Sequence, residues 1–203
     1  MKAILVFLCA SLSFNILAKE VLIQKDLRSV PVIHNNQPIE IERNQNRSHK
    51  IMKFYQDTWR GKIQPMYPFK PHPVETVGEL EVIEYVKLQS YGDDSIMVID
   101  SRPQSATTIT GMIPGASRIS VAKLLSAKDR DATLSRFGVN KTQSGYDFTE
   151  AKTLILYCNG FWCGKSPRMI RRLLYLGYPA EKLKYYRGGM QAWRAVGLTT
   201  VRE

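Results

Sequence analysis

LILYCNGFWCGKSPRMIRRLL, residues 154–174, is the stretch on which the reading of this chain turns. A solid apolar run over residues 154–157 ends at Cys158. A loop containing Gly160 and Gly164 carries a second cysteine, Cys163, and from Ser166 onward the pattern is that of a basic helix. A continuous apolar run reads as a strand buried on both faces, the kind found in parallel sheets clad by helices. Ligands bind such sheets beyond the carboxyl ends of the strands, which is where Cys158 lies. Ser166 reads as the N-cap and Pro167 as a first-turn residue, so the free amides and positive dipole end of the helix point toward the loop.

Three chemistries compete for this turn: a phosphate-cradling loop, a dithiol pair, and a single activated thiolate. A P-loop encloses four residues between its glycines so that backbone amides can wrap the phosphates. Gly160 and Gly164 enclose three, among them the bulky Phe161 and Trp162, which argues against nucleotide hydrolysis. Lys165 and Arg168 add positive charge beside the helix start, and that environment favours thiolate, the nucleophilic form, over thiol. The plain alternative is that Cys158 is a small apolar filler at a strand end.

The rest of the chain supplies the frame. IMVID, ending on Asp100, is a second buried strand, and LKYYRGG holds a last strand and turn. VGELEVIEYVKLQ is a helix with Leu80, Ile83, Val86 and Leu88 near helical spacing. VAKLLSA and MQAWRAVGL mark further short helices, SRFGV follows another, and PRMIRRLLYLGY puts Ile170, Leu173, Leu174 and Gly177 on one face. Strands alternating with helices imply an α/β fold. Before residue 74 the texture differs. VPVIHNNQPIEIERN reads as two short strands around His34-Asn35-Asn36-Gln37, HKIMKFYQDTW as a short helix, and QPMYPFKPHP as a proline-rich wrapping arm whose Tyr67 and Phe69 pack on the main domain.

The N-terminal MKAILVFLCASLSFNILAKE has a lysine, a short apolar run and a small residue at Ala18, the layout of a signal peptide cleaved after Ala18. A periplasmic or secreted protein with no stable membrane span after cleavage is expected. Cleavage takes away Lys2 and Cys9 and leaves Cys158 and Cys163, too few for a disulfide framework, so the fold rests on its core and the two thiols are free for chemistry. The net charge of +11 comes from scattered lysines and arginines without a nucleic-acid motif. Small anions or an acidic partner, rather than nucleic acid, are the expected consequence. His34, His49 and His72 all precede the main domain, so neither a Cys-His dyad nor a metal site is expected there, and no cofactor is implied.

The ordered set IMVIDSRP…TGMIPGASRIS, LILYC and YYRGGMQAW followed by GL resembles the rhodanese domain over roughly residues 74–201. The resemblance implies an α/β rhodanese-like domain (76–203) with a central parallel sheet flanked by helices, behind a signal peptide (1–18) and a strand-rich extension with a proline-rich linker (19–75). It implies a sulfurtransferase: Cys158 accepts a sulfane sulfur from a small anionic donor as a persulfide and delivers it to cyanide or a thiol, a protein thiol included. Asn159, Gly160, Phe161, Trp162, Gly164, Lys165, Ser166 and Arg168 then form the substrate loop, with Asp100 and Arg102 in orienting roles. Two departures keep alternatives open. Ser166 is eight residues after Cys158 where six is common in the family, and a larger cradle suits a tetrahedral oxyanion, although the phosphatase slot for arginine holds Gly164. Cys163 makes Cys158 and Cys163 a candidate dithiol redox or oxyanion-reducing pair, or a static bridge. Met112 stands where GHIPGA-type sequences have histidine. A non-catalytic binding module is the remaining reading.

Overall fold

The computed structural model describes residues 20–59 and 61–202, so the expected signal peptide, with Lys2 and Cys9, lies outside the described residues. The chain opens with an antiparallel hairpin, β1 (Ser29–His34) and β2 (Gln37–Glu42), with His34 opposite Gln37. Asn35 and Asn36, both at positive φ, make the two-residue turn, a conformation asparagine tolerates better than most residues. The helix expected in HKIMKFYQDTW is a single 3-10 turn, Lys53–Tyr55, after which the chain runs without regular structure to β3 (Glu75–Val77).

The α/β part follows in order: α1 (Glu79–Ser90), β4 (Ile96–Asp100), α2 (Gln104–Thr110), β5 (Ser117–Arg118), α3 (Val121–Leu125), α4 (Ala127–Arg136), the small ribbon β6 (Asn140–Lys141) and β7 (Tyr146–Asp147), β8 (Thr153–Tyr157), α5 (Lys165–Tyr175), β9 (Leu183–Tyr186) and α6 (Gly189–Ala195). The central sheet has the order β3-β9-β8-β4-β5, and every pairing in it is parallel. The α/β class with a parallel sheet between helices is as expected.

Alternation along β8 shows why its sequence is a solid apolar run. Ile155 and Tyr157 face one core, with Val82, Ile83 and Val86 of α1 and Trp193 of α6. Leu154 and Leu156 face the other, with Leu124, Leu134, Met169, Ile170 and Leu173. Both faces are dry, so period-two patterning vanishes. The first core also contains Val30, Val32, Ile41 and Tyr55, so the hairpin and the 3-10 turn are part of it. The Ile33 amide donates to Ser90 Oγ at 2.9 Å, and the Gly115 amide to His34 Nδ1 at 3.2 Å, fixing the hairpin against α1 and the loop before β5.

Several face assignments change. In α1 the buried stripe is Val82, Ile83 and Val86, whereas Leu80 and Leu88 are exposed, because Leu88 sits two residues past Val86, about 200° around the helix. In α5 the buried stripe is Met169, Ile170 and Leu173, with Leu174 only half-buried and Gly177 exposed. Phe69 is buried edge-on to Tyr185, as expected of the wrapping arm, but Tyr67 is exposed with Lys70 over its ring.

Candidate active site

β4 and β8 are hydrogen-bonded neighbours, and Asp100 is paired in register with Tyr157, so the ends of both strands open onto one edge of the sheet. From Asp100 the chain passes to Arg102, both fully buried. Arg102 Nη2 lies 2.6 Å from Asp100 Oδ2 and Nε 2.8 Å from Oδ1, a two-point carboxylate clamp. The other guanidinium bonds go to Thr110 Oγ1 at 2.6 Å, the Gly111 carbonyl at 2.7 Å, Asn159 Oδ1 at 3.2 Å and the Tyr55 hydroxyl at 3.4 Å. Burial works against the charge of Arg102, yet the bonded Asp100 carboxylate outweighs it and raises the pKa. Asp100 and Arg102 therefore brace the loop through Asn159, the first residue after Cys158, without reaching the sulfur.

The loop itself departs from the expectation at Ser166. Gly164 is the N-cap of α5, and Ser166 is the second helical residue with its side chain wholly buried. Its hydroxyl donates to Cys158 Sγ at 3.2 Å. A serine at a helix start ordinarily caps its own backbone; here the helix begins two residues earlier and frees the hydroxyl for the sulfur. Lys165 and Arg168 are exposed at the mouth of the loop, with no side-chain contact to either thiol.

Both cysteines are free and buried, Cys158 2% and Cys163 5% exposed. The Cys158 thiol donates to the Cys163 carbonyl oxygen at 3.4 Å. Burial pushes the Cys158 thiol up, and the hydrogen bond and charge of Cys163 push it further, against the Ser166 hydroxyl and amide. Cys163 goes the other way, to about 6: the hydrogen bond from Cys158 is the largest cause, opposed by burial and helped by the amides of Lys165 and Asn159 and the charge of Lys165. The interactions that favour a charged sulfur thus fall on Cys163 more than on Cys158.

Residues that sequence reasoning did not bring here complete the site. Tyr55 donates to Asn159 Oδ1 at 3.2 Å. Trp59 stacks on Trp162, ring centroids 3.6 Å apart and planes at 12°. The Gln64 amide donates to the Phe161 carbonyl at 2.8 Å, and Arg187 lies over the Phe161 ring while bonding the Gln64 carbonyl. The loop is therefore strapped by Tyr55, Gln64 and Trp59 at Asn159, Phe161 and Trp162 respectively. On its inner side the Trp162 indole donates to Gln191 Oε1 at 2.9 Å. Gly189, at φ +55, lets α6 approach so closely that a Cβ would fall 2.4 Å from the Cys158 carbonyl oxygen. The amides of Met190 and Gln191 bond the carbonyls of Cys158 and Asn159 at 3.0 and 2.8 Å. The cluster of aromatics Phe54, Tyr55 and Trp59 was the available signal.

The family model described as Rhodanese-like domain matches residues 83–196, more than half of the chain. The chain belongs to that family. Among solved structures, this rhodanese-like protein is similar to a protein of unknown function from Rhodopseudomonas palustris, named as a possible tyrosine phosphatase: identity is 19%, 63% of this chain and 85% of that one are covered, and the TM-score is 0.44. A protein from Bacillus halodurans is 21% identical over 60% of this chain and 72% of its own, with a TM-score of 0.42. A rhodanese-related protein from Thermoplasma volcanium is 16% identical over 64% of this chain and 99% of its own, with a TM-score of 0.38. No curated protein matches the chain. Among the described residues no group of three or more His, Cys, Asp or Glu could hold a metal ion, and no helix is long and apolar enough to cross a membrane.

Proposed function

We propose that this rhodanese-like protein is an exported sulfurtransferase that captures a sulfane sulfur from a small anionic donor as a persulfide on Cys158, with Cys163 beside it on the loop, and passes it to cyanide or a thiol. The reading rests on one observation: two buried free thiols, one at the end of β8 and one on the strand-to-helix loop that follows, with the Cys158 sulfur held between the Cys163 carbonyl and the Ser166 hydroxyl. The loop amides and the start of α5 favour negative charge on sulfur. Lys165 and Arg168 attract an anionic donor to the mouth of the loop, and the near-complete burial of both sulfurs suits a small donor.

Thiosulfate and cyanide given to the reduced protein should yield thiocyanate, and the Cys158→Ser/Cys163→Ser double variant should yield none. No thiocyanate above the double-variant level, and no sulfur added to the wild-type protein, would overturn the proposal. Two free thiols on one loop also favour a dithiol redox reading. Mass spectrometry separates the two, since sulfur capture adds one sulfur atom and dithiol oxidation removes two hydrogens.

A further inference from the structure

We infer that the cavity between residues 42–49 and residues 194–200 binds a small, doubly charged oxyanion through Arg43 and Arg194, a site independent of the sulfur-transfer reading.

The cavity has a volume of about 440 Å³ and opens where two stretches far apart in the sequence meet. Arg43 and Leu198 form an isolated antiparallel bridge, the Thr199 amide donates to the Glu42 carbonyl at 3.1 Å, and the Asn44 amide donates to the Gly197 carbonyl at 2.8 Å. Those bonds fix the wall from both sides, and the volume suits a small organic molecule. The cavity backs onto the brace of the reactive loop. Arg194 holds the carbonyl of Thr110, whose hydroxyl accepts from Arg102 Nη1 at 2.6 Å.

The wall carries positive charge that the protein leaves unmatched. Half-buried Arg194 donates Nε and Nη2 to the Thr110 carbonyl at 2.9 and 2.5 Å, and Nη2 to Thr200 Oγ1 at 3.0 Å, all neutral acceptors. Its Nη1 is without a partner among the described residues, and no carboxylate of theirs reaches it. Burial lowers its pKa, and the charges of Arg102 and Arg202 lower it further. Arg43 reaches only the Leu22 carbonyl, through Nη1 at 3.5 Å, and its Nε is buried without a partner. The single carboxylate on the wall, that of Glu42, is taken by Arg28 at 2.6 Å. A guanidinium drawn out of water with no acid beside it is costly, and its planar fork of donors matches the oxygens of a carboxylate or a phosphate. An oxyanion in the cavity supplies the missing charge and the missing acceptors together. Two such groups without an acid set its charge at two. Neutral donors stand by to orient it: the His49 ring, the Asn46 side-chain amide, and the Thr200 hydroxyl, which accepts from Arg194 and keeps its own hydrogen to give.

The site is tested on the reduced full chain at fixed ionic strength in chloride buffer, titrated with inorganic phosphate and, separately, with succinate. Backbone amide NMR signals of residues 42–49 and 194–200 should shift and saturate. A response to phosphate alone assigns a phosphoryl ligand, and a response to succinate alone or to both assigns a dicarboxylate or a general dianion; each supports the inference. Arg43→Gln and Arg194→Gln should each weaken binding about tenfold or more, the loss of a charged hydrogen-bonding partner. Arg43 makes a single long bond, so Arg43→Gln keeps the test clear of misfolding and decides alone if Arg194→Gln fails to fold. No saturable shift at these residues with either anion, a response confined to Lys165 and Arg168 at the mouth of the reactive loop, or wild-type affinity in either folded variant overturns the inference.

Discussion

Replacing Trp59 with alanine should make the thiol pair several-fold more reactive without unfolding the protein. Both sulfurs are nearly sealed from solvent, so any reagent larger than water meets them through a local opening of the loop. The strap opposes that opening at Asn159, Phe161 and Trp162, and its largest side-chain contact is the Trp59–Trp162 stack at 3.6 Å, with Phe54 tilted on Trp59 at 5.3 Å. Aromatic pairs contribute about 0.5–1.5 kcal/mol beyond buried area, and Trp59, 40% exposed, adds the burial of the rest of its ring to that, so the stacking figure is a minimum. A loss of about 1–1.5 kcal/mol from the closed state multiplies the open population about five- to tenfold. Alkylation of the reduced protein, followed under pseudo-first-order conditions with a reagent no larger than iodoacetamide, should accelerate by that factor. The denaturation midpoint should hardly move, because Trp59 lies outside both core clusters. A rate within twofold of wild type would show that the stack does not govern access. A rate rising only in step with lost global stability would refute local opening as the route.

The acidity of Cys163 has a pH signature of definite sign. Its folded pKa, about 6, lies below the unfolded thiol value of about 8.5, so the reduced protein should gain stability as pH rises from about 6 toward 8.5. Above that the raised pKa of Cys158 reverses the slope, since the unfolded thiol ionises first. Chemical denaturation across this range should show the rise in wild type and not in Cys163→Ser, and a flat wild-type profile would refute the assignment. Asp100→Ala leaves the Arg102 guanidinium buried and unpaired, and should lower stability by about 3–5 kcal/mol in the same assay. Gly189→Ala puts a Cβ against the Cys158 carbonyl at a left-handed φ; a cost of at least ~2 kcal/mol and altered thiol labelling are expected, whereas wild-type behaviour would show that α6 does not position the loop.

What the sequence revealed and what it hid divide along a physical line. The solid runs IMVID and TLILY read directly as strands because burial on both faces removes polar positions, and they are β4 and β8. The Asn35-Asn36 turn was legible because few residues accept positive φ. Ser166 misled because the residue type that caps a helix also donates to a sulfur, and only the start of α5 at Lys165 tells the two apart. The strap was hidden because Tyr55 and Asn159 stand 104 residues apart, and no local period announces such a contact. Which sulfur carries the charge was hidden for another reason. It depends on whether a backbone carbonyl or an amide faces each sulfur, and both belong to every residue of the loop.

Because the segment across the reactive loop belongs to the same chain, it acts as a tethered stopper rather than as a ligand. Its effective concentration at the loop is set by the tether and stays the same however far the protein is diluted. An inhibitor held by the same three contacts would wash away at low abundance. Here the shut fraction is a fixed property of each molecule, and it changes only when something competes for the tryptophan or the tether is cut.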